Sequence, residues 1–216
     1  MNDGVVLREE VPVVRPPERA TVDVSEMPDV VFGYRSTVWW GTMLFALIES
    51  STVMVSLFAY FYLRRHFDAW PPPRILPPNL EIGTASMAVL AISLIPAWIM
   101  GKHASAMNLP KVRLWKMVLL LFSIAIVVLR VMEIANLNTR WDETAYGSVV
   151  WAVIGVHTTL LVVDIFESWA ETFLAFRGPL ETKHFADFED AAFYWWFTVL
   201  MWVPAYVVLY LYPRWT

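Results

Sequence analysis

The sequence predicts an all-α integral membrane protein, a bundle of five transmembrane helices with its N-terminus on the cytoplasmic side. Hydrophobic residues make up 58% of the 216 positions and charged residues only 17%, against about 45–50% and about 25% in soluble domains. Five stretches reach the roughly 20 mainly apolar residues that a hydrocarbon core about 30 Å thick requires. Neither strand alternation nor an internal repeat is evident, which disfavours a β-barrel, the other backbone that can satisfy itself in lipid.

Residues 1–36 are polar and contain prolines ("LREEVPVVRPPERATVDVSEMPD"). They lack a basic start followed by a short apolar run, so they read as an extended surface tail rather than a cleaved signal peptide. The membrane domain is expected over 37–216. Its first span, 37–63, carries Trp39 and Trp40 at one end and Arg64, Arg65 and His66 at the other, the aromatic and basic anchors of a membrane interface. A loop with five prolines ("DAWPPPRILPPN") forbids a continuing helix, and the second span is expected over 82–100. The third is expected over 114–135 and the fourth over 146–176, the latter roughly 46 Å long at 1.5 Å per residue and so long enough to emerge or tilt. The fifth is expected over 191–212. Five spans place the termini on opposite sides. The N-terminal side carries Arg35, Lys102, Lys111, Arg113, Lys116, Arg177 and Lys183, the other side Arg64, Arg65, Arg74, Arg140 and Arg214, and the excess favours a cytoplasmic N-terminus.

A net charge of −4 without a basic stripe argues against nucleic acid as a partner. The absence of cysteine excludes disulfides, thiolate metal sites and covalent haem attachment. Hydrolase, metalloprotease and nucleotide-binding signatures are missing. A di-metal carboxylate bundle would repeat Glu-x-x-His on two helices, and no such pair occurs. His66, His103 and His184 are expected in loops, which leaves too few intramembrane histidines for a haem core. No metal and no catalytic residue is therefore expected in this chain.

The ionisable residues inside the spans must face protein, water or headgroups. Glu49 lies midway along the first span in "FALIESSTV". It reads either as a helix–helix hydrogen bond made with Ser50, Ser51 and Thr52 or as a carboxylate that handles protons or lipid headgroups. Arg130 and Glu133, three apart in "VLRVMEIA", predict an ion pair on one helix face. On the fourth span His157, Asp164 and Glu171 fall within about 40° of each other at 100° per residue, with Glu167 adjacent.

Four segments resemble subunit III of the haem-copper cytochrome c oxidases. "WWGTMLFALIES" keeps a Gly followed eight residues later by an intramembrane Glu, at Gly41 and Glu49. "RVME" places a polar residue, Arg130, three before Glu133. "YGSVVWAVIGVH" holds Tyr146, Gly147 and Ser148, then Gly155 and His157. "AAFYWWFTVLMW" supplies Tyr194, Trp195, Phe197 and Trp202. The order holds over about 37–212. Leu160, Trp196 and Val199 stand where the family has polar residues, and only Thr84 and Ser86 correspond to the family's polar run on the second span.

The resemblance implies a non-redox accessory subunit in a bacterial cytoplasmic membrane. It would pack on catalytic subunit I and beside subunit II, which carry the haem and copper, while binding structural phospholipid and supporting proton uptake and stability during oxygen reduction. Five spans instead of seven resemble the short form of some bacterial oxidases and the accessory subunit of nitric oxide reductases, the alternative reading. Glu49 is singled out by the resemblance, followed by His157 and Glu133. A small membrane transporter is the reading from a different class. It would call for broken helices and repeat symmetry, which the sequence does not display.

Overall fold

The computed structural model describes residues 37–177 and 182–215; the N-terminal tail lies outside the described residues. Every regular element among them is helical, and five helices are long and apolar enough to cross a membrane. They are α1 (Thr37–Arg65), α2 (Leu80–Ser105), α3 (Leu109–Ala135), α4 (Ala145–Phe176) and α5 (Thr182–Tyr206). A π-helical turn (Val207–Leu211) and the short α6 (Tyr212–Trp215) continue the line of α5.

Three of the helix starts are set by side-chain caps that occupy otherwise orphaned backbone N–H groups. Asn79 Oδ1 accepts from Ile82 N at 3.1 Å, and Thr144 Oγ1 accepts from Gly147 N at 3.0 Å. Asn108 Oδ1 accepts from Lys111 N at 3.4 Å, with Pro110 in the first turn, a position where its missing N–H costs nothing. These caps begin α2 and α3 earlier than hydropathy alone suggests. The α2–α3 connection is correspondingly short and turns through Met107 at φ 51.

Consecutive spans run antiparallel. The start of α1, the end of α2, the start of α3, the end of α4 and the start of α5 therefore share one side, called here the N-terminal side. α2 packs against α3 and α5, and α4 packs against α1, α3 and α5. The apolar interior includes Leu90, Ala97, Ile126, Val150, Ile154 and Val199. The outward faces are apolar too: Leu47, Val55, Leu121, Val131, Val162 and Phe166 are all exposed, as expected where the surroundings are lipid rather than water.

Several expectations need correcting. α5 starts at Thr182, not near 191, and His184 therefore lies in a helix; His103 likewise lies in the last turns of α2. Within this helical stretch Asp187 and Asp190 line a cavity. Lys116 is not an interfacial anchor, since it is 1% exposed and ion-paired with Glu171. Ser50, Ser51 and Thr52 do not link helices: their hydroxyls donate to Leu47 O at 2.9 Å and to Ile48 O at 2.6 and 3.1 Å, which satisfies them within α1.

Candidate functional site: two buried polar regions

The ionisable residues of the spans gather in two places. Away from the N-terminal side, α3, α4 and α5 meet around Arg130. Its Nη1 lies 2.9 Å from Glu133 Oε2, and its Nη2 lies 3.0 Å from His157 Nδ1. His157 Nε2 lies 3.0 Å from the Thr198 carbonyl oxygen. A carbonyl can only accept, so Nε2 carries the proton and Nδ1 accepts from the guanidinium. Trp202 covers the group, with its ring 4.5 Å from the imidazole centroid and 4.2 Å from the guanidinium carbon, close enough for a cation–π contact.

The π-helical turn completes this region from the far end of the fifth span. Tyr210 donates its hydroxyl to Glu133. Tyr206 stacks on Tyr210 at 5.3 Å and shares a 2.7 Å hydrogen bond with Thr84. A Cβ on Gly83 would overlap the Tyr210 ring, so only glycine lets this ring reach Glu133. Arg130, Glu133, His157 and Tyr210 are each 3% exposed or less. Such a cluster is tolerated in a low-dielectric interior because each charge has a partner.

The second region lies on the N-terminal side. Tyr194 donates its hydroxyl to Glu49, joining α5 to α1. Beside them opens a cavity of about 490 Å³ lined by Asp164, Glu167, Asp187, Asp190, Thr42 and Tyr194, with Phe45 and Gly41 on its α1 wall. Asp164 is 4% exposed, and its Oδ2 has no hydrogen-bond partner. Nearer the end of α4, Glu171 pairs with Lys116, whose Nζ sits 5.5 Å from the Phe188 ring centre. The helical stripe expected on α4 is thus divided by its surroundings. His157 joins the closed cluster, Asp164 and Glu167 face the cavity, and Glu171 forms its own ion pair. Thr198 lies between the regions, its carbonyl facing His157 and its side chain neighbouring Asp164.

The remaining motif residues hold the scaffold together. Tyr146 is fully buried with its ring 5.1 Å from Trp70. A Cβ on Gly147 would overlap the Arg140 carbonyl, and Ser148 Oγ donates to Trp141 O at 2.7 Å. The Tyr-Gly-Ser triplet therefore pins the α3–α4 loop onto the start of α4. Trp195 Nε1 donates to Ser93 Oγ at 2.9 Å, tying α5 to α2. Gly155 is exposed, and a Cβ there would meet nothing. In the loop itself, Arg140 hydrogen-bonds both oxygens of Asp142 at 3.1 and 3.0 Å, which holds the Asp142 carboxyl below its usual value of 3.8.

Sequence reasoning did not find Tyr210, Asp187, Asp190 or the Lys116 pairing. The spacing Asp187, Asp190, Tyr194, Thr198 was the available signal, since intervals of three and four put them on one helix face. Among the described residues, no group of three or more His, Asp or Glu is placed to hold a metal ion.

Together these features define a multi-pass helical membrane protein whose interior polar groups largely pair with one another. No protein-family profile matches the chain. Among curated proteins, cytochrome c oxidase subunit 3 of Pongo abelii is 30% identical over 146 residues, covering 65% of this chain and 54% of that protein. The same subunit of Lemur catta is 28% identical over 151 residues, with 65% and 52% covered. That of Rattus norvegicus is 27% identical over 151 residues, with 65% and 54% covered. The chain spans about half the length of the curated relatives it matches. Over the matched residues the chain is thus similar to cytochrome c oxidase subunit 3.

Proposed function

We propose that this chain is a non-redox accessory subunit of a haem-copper terminal oxidase of the cytochrome c oxidase type. In this reading it sits in a bacterial cytoplasmic membrane with its N-terminus in the cytoplasm, packs on catalytic subunit I and beside subunit II, and binds phospholipid. The haem and copper belong to those partners. One observation carries the reading. Of the residues through which the chain resembles subunit III, Glu49, Glu133, Tyr146, His157, Tyr194, Trp195 and Trp202 are buried, and Glu49, Glu133, His157, Tyr194 and Trp195 bond from one helix to another.

The two polar regions then have different tasks. The Arg130 cluster fixes the relative positions of α3, α4 and α5. The carboxylate-lined cavity offers groups that exchange protons with water on the N-terminal side, with Glu49 held behind Tyr194 at its inner edge, and this supports a part in proton uptake and turnover stability.

The test is affinity purification of the full chain in mild detergent, followed by identification of the accompanying proteins and an optical scan for haem. The reading predicts a haem-bearing oxidase catalytic subunit in the preparation. A catalytic subunit of the nitric oxide reductase type would shift the assignment to that complex. A chain that purifies alone, or that carries haem or copper of its own, would overturn it.

A further inference from the structure

On the face of α2 and α5 away from α1, two hollows of about 470 and 380 Å³ share Trp98 and Trp196 as common walls. They form one groove. Its upper end lies in the last turn of α2, at Lys102 and Ser105, with Glu189 of α5 across from them. Its lower end runs between the helices past Ile95 to Ala91. From Lys102 to Ala91 is about 16 Å along the helix at 1.5 Å per residue, roughly half the hydrocarbon thickness, and so the depth of one leaflet.

The two ends differ in chemistry. The deep end is apolar. The upper end carries one cation and one anion that do not pair with each other: among the described residues neither Lys102 nor Glu189 makes an ion pair. Lys102 Nζ instead rests 3.6 Å from the centre of the Trp98 ring, held over the groove. Between the helices the floor is closed by a tight contact of small residues, since a Cβ on Gly101 would sit 3.2 Å from that of Ala192. Trp196, which replaces a polar residue of the subunit III pattern, forms the opposite wall. An indole with one apolar and one polar edge suits the headgroup boundary.

We propose that this groove binds one zwitterionic aminophospholipid. Its phosphate meets Lys102, its ammonium meets Glu189, and one acyl chain runs between Trp98 and Trp196 to Ala91. The opposed charges select a headgroup carrying both signs over a purely anionic one. This names a site for the lipid binding proposed above and rests on that part of the reading, independently of which complex the chain serves.

The test uses the full chain in the complex with which it purifies, washed in detergent and extracted for lipid analysis by mass spectrometry. Wild type is expected to retain phosphatidylethanolamine. Ala91→Phe, at an exposed position where added bulk fills only the groove, is expected to retain at least about fivefold less. Lys102→Glu should weaken retention about tenfold, the scale of one lost charge-assisted contact, and Lys102→Glu with Glu189→Lys should recover it. Equal retention by wild type and Ala91→Phe, retention of phosphatidylglycerol or cardiolipin alone, or a crosslink from position 98 or 196 to a partner helix would each overturn the site. Loss of the oxidase partners with the lipid still bound would count against the proposed function only.

Discussion

The Arg130 region and the Glu49 region each join a buried carboxylate to a tyrosine hydroxyl but differ in closure. Around Arg130 the guanidinium, imidazole, carboxylate and phenol face one another and are capped by Trp202, so the guanidinium and the carboxylate each have a partner within the chain. Around Glu49 the carboxylates outnumber the cations, and most of them line an open cavity. The difference teaches that intramembrane polarity has two uses. A closed cluster specifies how helices pack, whereas an open one is reachable from outside the bundle, which under the proposed function serves proton uptake.

The largest effect is expected where the closed cluster is broken on one side. Arg130→Leu strands Glu133 and removes the partner of His157, and should cost about 3–5 kcal/mol in thermal stability measured in detergent. Adding Glu133→Leu should recover part of that loss, because the stranded charge goes with it. If the double variant were no more stable than the single one, the cluster would not behave as a closed unit.

Next comes Gly83→Val, which forces the Tyr210 ring away from Glu133. An overpacking cost of about 1–3 kcal/mol is expected, and a further Tyr210→Phe change should add little once that hydrogen bond is gone. Tyr194→Phe, in the open region, should cost about 1 kcal/mol, the net worth of one hydrogen bond. A loss as large as that of Arg130→Leu would erase the contrast between the regions.

The smallest effect belongs to the exposed loop pair Arg140–Asp142, a reference for both regions. The folded pKa of Asp142 is lowered by its hydrogen bond from Arg140, so any stabilisation is present above the unfolded value and is lost as pH falls through the folded one. The stability difference between wild type and Arg140→Gln should therefore stay flat from about pH 8 to about pH 5 and change only below about pH 4. A change near neutrality would contradict this assignment.

Much of the fold was legible in the sequence, because hydropathy, prolines and flanking Trp and Arg residues report directly on what lipid tolerates. The Arg130–Glu133 pair was legible too, since an interval of three within one helix fixes proximity. The partners Tyr194 and Tyr210 were not. They lie 145 and 77 residues from Glu49 and Glu133, and which helices become neighbours is settled by packing rather than by local pattern. The first turns of α5 were missed because "TKHFADFED" is too polar to read as part of a membrane span from hydropathy.

The most direct test of the account is turnover of the assembled complex carrying Glu49→Gln, read as activity over successive cycles alongside its haem spectrum. The account predicts an unchanged spectrum with slower proton uptake or faster loss of activity during turnover. A haem spectrum lost while the complex stays intact, or activity indistinguishable from wild type throughout, would contradict it.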